Sequence, residues 1–208
     1  MNKISKLLFA AALTSMASSC SDKFLDVNVN PNAATVVTPD QLLGNALTVT
    51  GANYTNYNAF ANFAAGFWAK SNAVSGYTEE RTYNFSSTYQ QGLWNGTYDN
   101  LNDYNLIQTQ GATSHPNHAA IARIMKVYNF LLLVDEYGDI PYTQALLGKE
   151  NITPKYDNAQ DIYKDFIVQL KGAVTDINAA TAALKPAAED VVFGGGTAGM
   201  DQWKRFAN

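Results

Sequence analysis

The residue whose position indicates the most specific chemistry is Cys20, the only cysteine in the chain. It follows residues 1–19, which begin with Lys3 and Lys6, continue through an apolar run, Leu7–Leu13, and end in small residues. That run is too short to cross a bilayer, which needs about 20 apolar residues. This order is typical of a bacterial signal peptide whose cleavage site ends in a lipidated cysteine. We therefore predict a signal peptide at 1–19 and acyl chains on Cys20; the alternative is an ordinary signal peptide before a buried cysteine.

Asp135, Glu136 and Asp139 form the densest acidic group, which is the kind of group that can serve as an acid/base pair or a Ca²⁺ site. Their spacing lacks the alternating oxygen ligands of an EF-hand loop. They also stand at the end of a predicted helix, where carboxylates are unfavourable for the helix dipole. We therefore interpret them as structural residues with partner groups, rather than as catalytic residues.

Three other motifs give no site. His115 and His118 lie on either side of Pro116 without a nearby third ligand, so we interpret both as surface residues. Gly194–Gly196 lacks the Gly-Lys-Ser/Thr ending of a phosphate-binding loop and is interpreted as a flexible turn. No serine stands in a Gly-x-Ser-x-Gly elbow. The sequence thus predicts no catalytic residue, no metal site and no cofactor.

Aromatic residues are the better candidates for binding, because they make up 12% of the chain while charged residues make up only 15%. Trp68, Tyr77, Arg81 and Tyr83 flank or lie in Ser71–Ser87, a stretch without helical period. An aromatic platform beside polar donors is suited to the faces of sugar rings. We predict that these four residues contact a ligand; for any single ring, the alternative is a place in the core.

Composition narrows the class of protein. The 208 residues suffice for one domain, and a net charge of -4 gives no general attraction to nucleic acid or anionic lipid. An exported chain with a single cysteine can form no internal disulfide, which favours a bacterial origin.

Hydrophobic periodicity predicts an all-α chain. A polar, Asn-rich tether covers residues 20–38, and an α-helical domain covers 39–208. The predicted helices are Pro39–Lys70, Tyr89–Thr109, Asn117–Tyr137 and Ala159–Leu184, with a further helical start at Met200–Asn208. The loops between them are Ser71–Ser87, Gly111–Pro116, the segment from Gly138 to Tyr156, and Gly194–Gly196.

Capping residues and spacing refine these helices. Thr38, Pro39 and Gln41 predict a capping box at the first helix, and Asp157 with Gln160 predicts a second one. Trp94 and Tyr98, spaced i, i+4, are interpreted as core residues. Antiparallel helix pairs with short loops suggest a helical-repeat scaffold, although the tetratricopeptide signature is not clean. The uncapped helical ending at Asn208 predicts that the chain is the front part of a longer protein.

The stretch Ala119–Leu147 begins AAIARIMKVYNFLLLVDEYGDIPYTQAL, and it is one of four stretches in series that resemble the SusD/RagB family of outer-membrane nutrient-binding lipoproteins of Bacteroidota. This stretch resembles the long family helix and its Asp-x-Tyr-Gly-Asp-[Ile/Val]-Pro-[Tyr/Phe] turn. CSDKFLDVNVNPN from Cys20 is similar to the family's lipidated start. PKYDNAQDIYKDFIVQL, which begins at Pro154, is similar to the next family helix. DVVFGGGTAGMDQWKRFAN, which begins at Asp190, is similar to the Gly-rich turn and the start of the helix that follow it in the family.

The resemblance implies tetratricopeptide-like antiparallel helix pairs with long loops. It also implies a lipid-anchored protein on the cell surface that caps a TonB-dependent outer-membrane transporter of the SusC/RagA type. The helical-repeat side would face the transporter, and the loop-rich side would capture a glycan or a peptide. Family members are usually more than twice this length, so the ligand site in this chain is partial.

The leading interpretation is a non-enzymatic binding subunit of a nutrient importer, with a glycan favoured over a peptide as ligand. One alternative is a lipoprotein scaffold whose helical repeats assemble other proteins without binding small ligands. A second is a surface glycoside hydrolase, which needs two carboxylates roughly 5–10 Å apart across a cleft. The sequence offers no candidate pair for that chemistry.

Overall fold

The computed structural model describes residues 37–69, 71 and 78–208. The predicted signal peptide, the lipidation site Cys20, the tether as far as residue 36 and the candidate ligand residue Tyr77 lie outside the described residues. The chain divides into Met1–Val37 and Thr38–Asn208, and every helix and strand described below belongs to the second unit. None of the helices in the described ranges combines the length and the apolar character needed to cross a membrane.

The chain is all-α, as predicted, with one very small sheet. In the described ranges the helices are α1 (Pro39–Ala64), α2 (Thr78–Thr82), α3 (Gln91–Ser114), α4 (Pro116–Tyr137), α5 (Ala159–Ala179) and α6 (Gly196–Ala207). The strands β1 (Ile140–Pro141) and β2 (Tyr156–Asp157) and a 3-10 turn at Gly148–Glu150 lie between α4 and α5.

The start of α1 agrees with its sequence signals, but its end does not. Thr38 and Gln41 form the predicted capping box, in which the Thr38 N–H donates to Gln41 Oε1 at 3.1 Å. The helix ends at Ala64, before the predicted Lys70, because Gly66 adopts a left-handed φ of 77° that turns the chain away from the helix axis. The predicted loop Ser71–Ser87 also contains α2.

The predicted break at Gly111–Pro116 is wrong for its first residues, since α3 continues to Ser114. A glycine inside a helix costs only about 1 kcal/mol relative to alanine, so it does not have to end one. The His115 N–H donates to the Gly111 carbonyl at 2.8 Å and continues the helical hydrogen bonding to the last turn. Pro116 then occupies the first position of α4, where its missing N–H has no cost.

Helix α4 is the central element, because α3 and α5 both pack along it and α1 also contacts it. One core cluster joins α4 to α1, α3, α5 and α6 through Leu43, Tyr104, Ile121, Ala173 and Trp203. A second joins it to α3, β1 and α5 through Leu101, Phe130, Ile140 and Phe166. Such antiparallel packing of successive helices is the architecture expected of helical-repeat proteins.

Helix α5 ends at Ala179, five residues before the predicted Leu184. The side chain of Asn117, buried at the start of α4, donates to the carbonyls of Ala180 at 3.1 Å and Leu184 at 2.9 Å. These bonds satisfy carbonyl groups of a non-helical segment, so the chain can leave the helix there without an unsatisfied buried acceptor.

The predicted capping box at Asp157 is wrong, because Asp157 lies in β2 and its carboxylate is used elsewhere. It accepts from the Thr143 N–H at 2.7 Å and from the Thr143 hydroxyl at 2.8 Å. Asn158 caps α5 instead, accepting from the Gln160 N–H at 3.0 Å. The strands themselves pair Ile140 with Asp157 and Pro141 with Tyr156, and two-residue strands are too short to produce an alternating pattern in the sequence.

The turn at Gly194–Gly196, predicted to be flexible, is closely packed at its middle residue, Gly195, whereas Gly194 and Gly196 are exposed. All three glycines have positive φ, and a β-carbon on Gly195 would collide with the carbonyl oxygens of Pro186 and Ala187. The turn is fixed by Asp190, which is almost wholly buried and accepts from the Gly195 N–H at 3.1 Å and from Trp203 Nε1 at 2.9 Å.

The interpretation of both histidines as surface residues is wrong for His118 and only partly right for His115, which is half-buried. His118 is fully buried, and its Nε2 lies 3.1 Å from Glu189 Oε1. Burial disfavours the charged imidazole and lowers the pKa of His118, although Glu189 acts in the opposite direction.

Two of the three carboxylates near the end of α4 have the expected structural partners. Asp139 Oδ1 accepts from the Ala159 N–H at 2.8 Å, and the Tyr163 hydroxyl donates to Asp135. Both bonds connect the end of α4 to the first turn of α5. Burial raises the pKa of the Glu136 carboxyl, for which the structure gives no such bond among the described residues.

Candidate ligand-binding surface

A group of exposed aromatic side chains lies where α1 ends and α3 begins. The exposed fractions are 80% for Phe67, 46% for Trp68, 85% for Tyr83 and 51% for Phe85. These residues form two neighbouring pairs, Phe67 with Trp68 and Tyr83 with Phe85, and large apolar side chains exposed together rather than singly indicate a surface that binds something. We refer to Phe67, Trp68, Tyr83 and Phe85 as the aromatic surface.

The turn after α1 positions the first part of this surface. The left-handed Gly66 reverses the chain, and the Trp68 N–H then donates to the Asn62 carbonyl at 3.1 Å. The Trp68 indole and the ring of Phe63 then meet edge to face, with centroids 5.5 Å apart and planes at 82°. Edge-to-face contacts of this kind stabilise one orientation of the indole, which remains 46% exposed.

A series of rings positions the second part. Tyr83 contacts Phe85 with centroids 6.5 Å apart, and Phe85 contacts Tyr89 at 4.8 Å. Tyr89 in turn contacts Phe60 on α1 at 6.2 Å, which anchors the series to the bundle. Since Phe60 and Phe63 are one turn apart on α1, the same helix supports both parts of the aromatic surface.

Polar groups border these rings. The Tyr89 hydroxyl donates to Glu80 Oε1 at 2.9 Å. Burial raises the pKa of Tyr89, and the Glu80 carboxylate raises it further. Arg81 is exposed in the last turn of α2, two residues before Tyr83. A cavity of about 260 Å³ beside Glu80, Tyr89 and Gln90 adjoins a second one of about 270 Å³ beside Phe60 and Gln90.

The structure therefore places three of the four predicted ligand residues on the surface. Arg81 and Tyr83 lie together at the end of α2, whereas Trp68 is connected to them through the rings on α1; Tyr77 is outside the described residues. Sequence reasoning missed Phe67 and Phe85. The signal was available, because Phe67 adjoins Trp68 and Phe85 alternates with Tyr83 in the same non-helical stretch.

Trp94 and Tyr98 were expected in the core but are only half-buried. Trp94 stacks near Tyr156, with centroids 6.4 Å apart and planes at 25°, and the Tyr98 hydroxyl donates to the Pro141 carbonyl at 2.7 Å. One side of each ring packs on the second core cluster. The other side lines a cleft of about 290 Å³ with Leu147.

The arrangement offers ring faces for stacking, and the Tyr89 hydroxyl, the Glu80 carboxylate and the Arg81 guanidinium lie beside them. In the parts of the chain that the structure describes, no three His, Cys, Asp or Glu side chains are grouped so that they could hold a metal ion. Flat rings beside hydroxyl and amide groups are suited to binding a ligand that has both apolar faces and hydroxyls.

Comparison with known proteins gives three results. A family described as starch-binding and associating with the outer membrane, SusD-like, matches residues 31–208. The crystal structure of a SusD/RagB family protein from Bacteroides thetaiotaomicron VPI-5482 is similar, with a TM-score of 0.67 and 25% identity over 83% of this chain and 36% of that one. A chitin-binding protein has a TM-score of 0.52 and 32% identity over 67% of this chain and 29% of its own.

Among curated proteins, none matches this chain. The chain spans about a third of the length of each of the two similar structures. The family match nonetheless covers the whole of the helical unit, including the turn after α4 and the glycine turn before α6. The chain therefore belongs to the SusD-like family, in agreement with the resemblance carried by its sequence motifs.

Proposed function

We propose that this chain is the N-terminal part of a cell-surface lipoprotein that binds a glycan and delivers it to a TonB-dependent outer-membrane transporter of the SusC/RagA type. The observation that carries the proposal is the aromatic surface, whose rings are exposed at the ends of helices instead of being buried between them. The family description and the chitin-binding neighbour support a glycan over a peptide.

The proposed role is binding without catalysis. Trp68 and Tyr83 offer ring faces for stacking on a sugar, and Arg81 offers hydrogen-bond donors to its hydroxyls. Acyl chains on Cys20 hold the protein at the outer membrane, and the transporter supplies the passage across it. Tyr77 completes the proposed set of contact residues in the segment between Trp68 and Arg81.

Calorimetric titration of the full-length protein with chitin oligosaccharides and with malto-oligosaccharides tests the binding role. We expect saturable binding of at least one of these probes and a loss of about tenfold, near 1.4 kcal/mol, for Trp68→Ala or Tyr83→Ala. Ile152→Ala is the matched control, because it removes a comparably exposed apolar side chain from a different loop. Equal binding by the Trp68, Tyr83 and Ile152 variants would contradict the proposed site.

A second candidate function is a scaffold that assembles other proteins. The observation that favours it is the outward face of α5, where Tyr163, Ile167 and Val168 are exposed on one stretch of helix. Purification of the tagged full-length lipoprotein from gently solubilised outer membranes separates the two functions. A TonB-dependent barrel at near-equal stoichiometry supports the importer, while its absence together with other bound proteins supports the scaffold.

A further inference from the structure

A cavity of about 280 Å³ lies between α3, α4 and α5, away from the aromatic surface. Its walls include two cationic side chains of α4, Arg123 and Lys126. The rest of the polar lining consists of Asn105 and Gln108 of α3, Gln169 of α5, and Tyr142 and Thr143 from the segment after α4. The volume is slightly below the range typical of drug-sized ligands, so the cavity suits a single small ring.

Lys126 is half-buried in this cavity without an acidic partner. Its ammonium group donates to Asn105 Oδ1 at 2.9 Å and to Gln108 Oε1 at 3.1 Å, and both acceptors are neutral. Within residues 37–69, 71 and 78–208, no carboxylate oxygen lies within 4.0 Å of it. Burial and the neighbouring Arg123 charge lower the pKa of Lys126 to about 8. A partly desolvated charge with only neutral acceptors is unfavourable, and an anion in the cavity would compensate it.

Arg123 lies one turn before Lys126 on α4, and its guanidinium group is held by two side chains of α5. Its Nε donates to Gln169 Oε1 at 2.8 Å, and its Nη1 donates to Asp176 Oδ2 at 2.9 Å. Between these two partners, Gly172 has no side chain, and a β-carbon there would collide with the guanidinium group. Asp176 balances the charge of Arg123, so among the described residues that line the cavity Lys126 is the cation without an ion-pair partner.

The remaining walls combine rings and hydrogen-bonding groups. Phe130 and Tyr142 meet edge to face with centroids 4.8 Å apart. The Tyr142 hydroxyl donates to Asp165 Oδ2 at 2.5 Å, so its orientation is fixed, and Thr143 is exposed beside it. A ligand in this cavity meets one uncompensated cation, several amide groups and an apolar ring edge.

We propose that this cavity binds a hexuronic acid unit, with its carboxylate near Lys126 and Arg123 and its hydroxyls near the amides of Asn105, Gln108 and Gln169. A single carboxylate matches the single unpaired charge. Lys126 and Arg123 are three residues apart on α4, so both side chains can reach one anionic group. The site is separate from the aromatic surface and does not depend on glycan binding there.

Titration of the full-length protein with D-galacturonate, followed by NMR chemical shifts, tests this site. D-galactose serves as the neutral sugar, and acetate serves as a carboxylate of the kind that an acidic protein side chain presents. We expect galacturonate to bind at least tenfold more tightly than either galactose or acetate at the same ionic strength. Lys126→Met should weaken galacturonate binding at least tenfold, because it removes the unpaired charge while keeping a similar volume.

Lys171→Met is the matched control, since it removes an exposed lysine from α5 outside the cavity lining, and it should leave galacturonate binding unchanged. Gly172→Ala is a second variant that displaces Arg123 and should also weaken binding. Equal affinity for galactose and galacturonate, or no effect of either cavity variant, would overturn the site. Acetate binding as tightly as galacturonate would overturn the assignment to a sugar acid in favour of an acidic side chain.

Discussion

Replacing Lys126 by methionine should stabilise the protein, whereas most substitutions of half-buried residues destabilise. The ammonium group is desolvated without an acidic partner, so the folded state bears a cost that the unfolded state does not. The fall of the Lys126 pKa from an ordinary 10.5 to about 8 corresponds to roughly 3 kcal/mol as an upper limit. Its two hydrogen bonds to Asn105 and Gln108 offset about 1 kcal/mol each. The expected net gain for Lys126→Met at pH 7 is therefore about 1 kcal/mol.

The pH dependence of this gain gives a sharper test than its size. At pH 7 Lys126 is protonated in both states, and the full cost of burying the charge is present. As the pH rises through about 8, the folded state loses the proton first, and the cost disappears by the time the unfolded lysine also titrates near 10.5. The wild type should therefore gain stability relative to Lys126→Met between about pH 8 and 10.

The other charged groups near Lys126 do not reverse this direction. Arg123 lies on α4 one turn before Lys126 and is paired with Asp176 of α5, while Asp165 of α5 accepts from the Tyr142 hydroxyl. Burial raises the pKa of Tyr142, and this hydroxyl is present in both the wild type and Lys126→Met, so it does not contribute to the difference between them.

Urea unfolding at pH 7 and pH 9.5 measures the difference directly, with Lys171→Met as the control for loss of a positive charge. A gain of about 1 kcal/mol also corresponds to a rise of roughly 2–4 °C in Tm for a domain of this size. If Lys126→Met is less stable than the wild type at pH 7, or if its gain over the wild type increases with pH, the view of Lys126 as a desolvated charge is wrong.

Three further predictions concern the anchor and the glycine turn. Cys20→Ser should release the protein from the outer membrane, as measured by fractionation of labelled cells; retention in the membrane would contradict lipidation at this residue. Asp190→Ala should lower the free energy of unfolding by about 3–5 kcal/mol, because the buried N–H donors of Gly195 and Trp203 lose their acceptor. Urea unfolding measures this loss, with Asp201→Ala as the exposed control. Equal free energies of unfolding for the two variants would contradict the role of Asp190. Gly195→Ala should lower the free energy of unfolding by at least about 2 kcal/mol in the same measurement, because a side chain at this positive φ is strained and would collide with Pro186. A smaller loss of stability would mean that the turn can rearrange.

Sequence reasoning succeeded where local signals and core packing point the same way. The α4 helix was predicted almost to the residue, because Pro116 starts it, Gly138 ends it, and its buried residues include Ile121, Ile124 and Met125. The family itself was also evident from motifs, since the turn after α4 and the glycine turn before α6 have distinctive residue orders.

It failed where a distant polar group decides the local structure. Asn117 determines where α5 ends through contacts about 60 residues away in sequence, and no periodicity in α5 reports this. Asn129 is likewise fully buried, donating to Thr50 Oγ1 at 3.2 Å across the bundle, although its residue type predicts exposure.

The candidate site was predicted only in part for a related reason. Exposure of Trp68 and Tyr83 follows from the left-handed turn at Gly66 and from the position of α2, and neither is visible as a pattern in the short stretch between them. The cavity at Lys126 was missed because a single lysine in a helix is ordinarily solvated. Only the packing of α3 and α5 on both sides of α4 removes it from water.

The pairing of β1 with β2 has a consequence for how relatives can diversify. The strand pairing closes residues 142–155 into a loop and holds its two ends side by side. The hydrogen bonds from Thr143 to Asp157 hold the same two ends together. Closing a longer loop costs little, roughly 0.6 kcal/mol for each doubling of its length. The tip around Ile152, which is 82% exposed, can therefore accept insertions without moving α4 or α5, so it is a place where new recognition elements can be added to the helical frame.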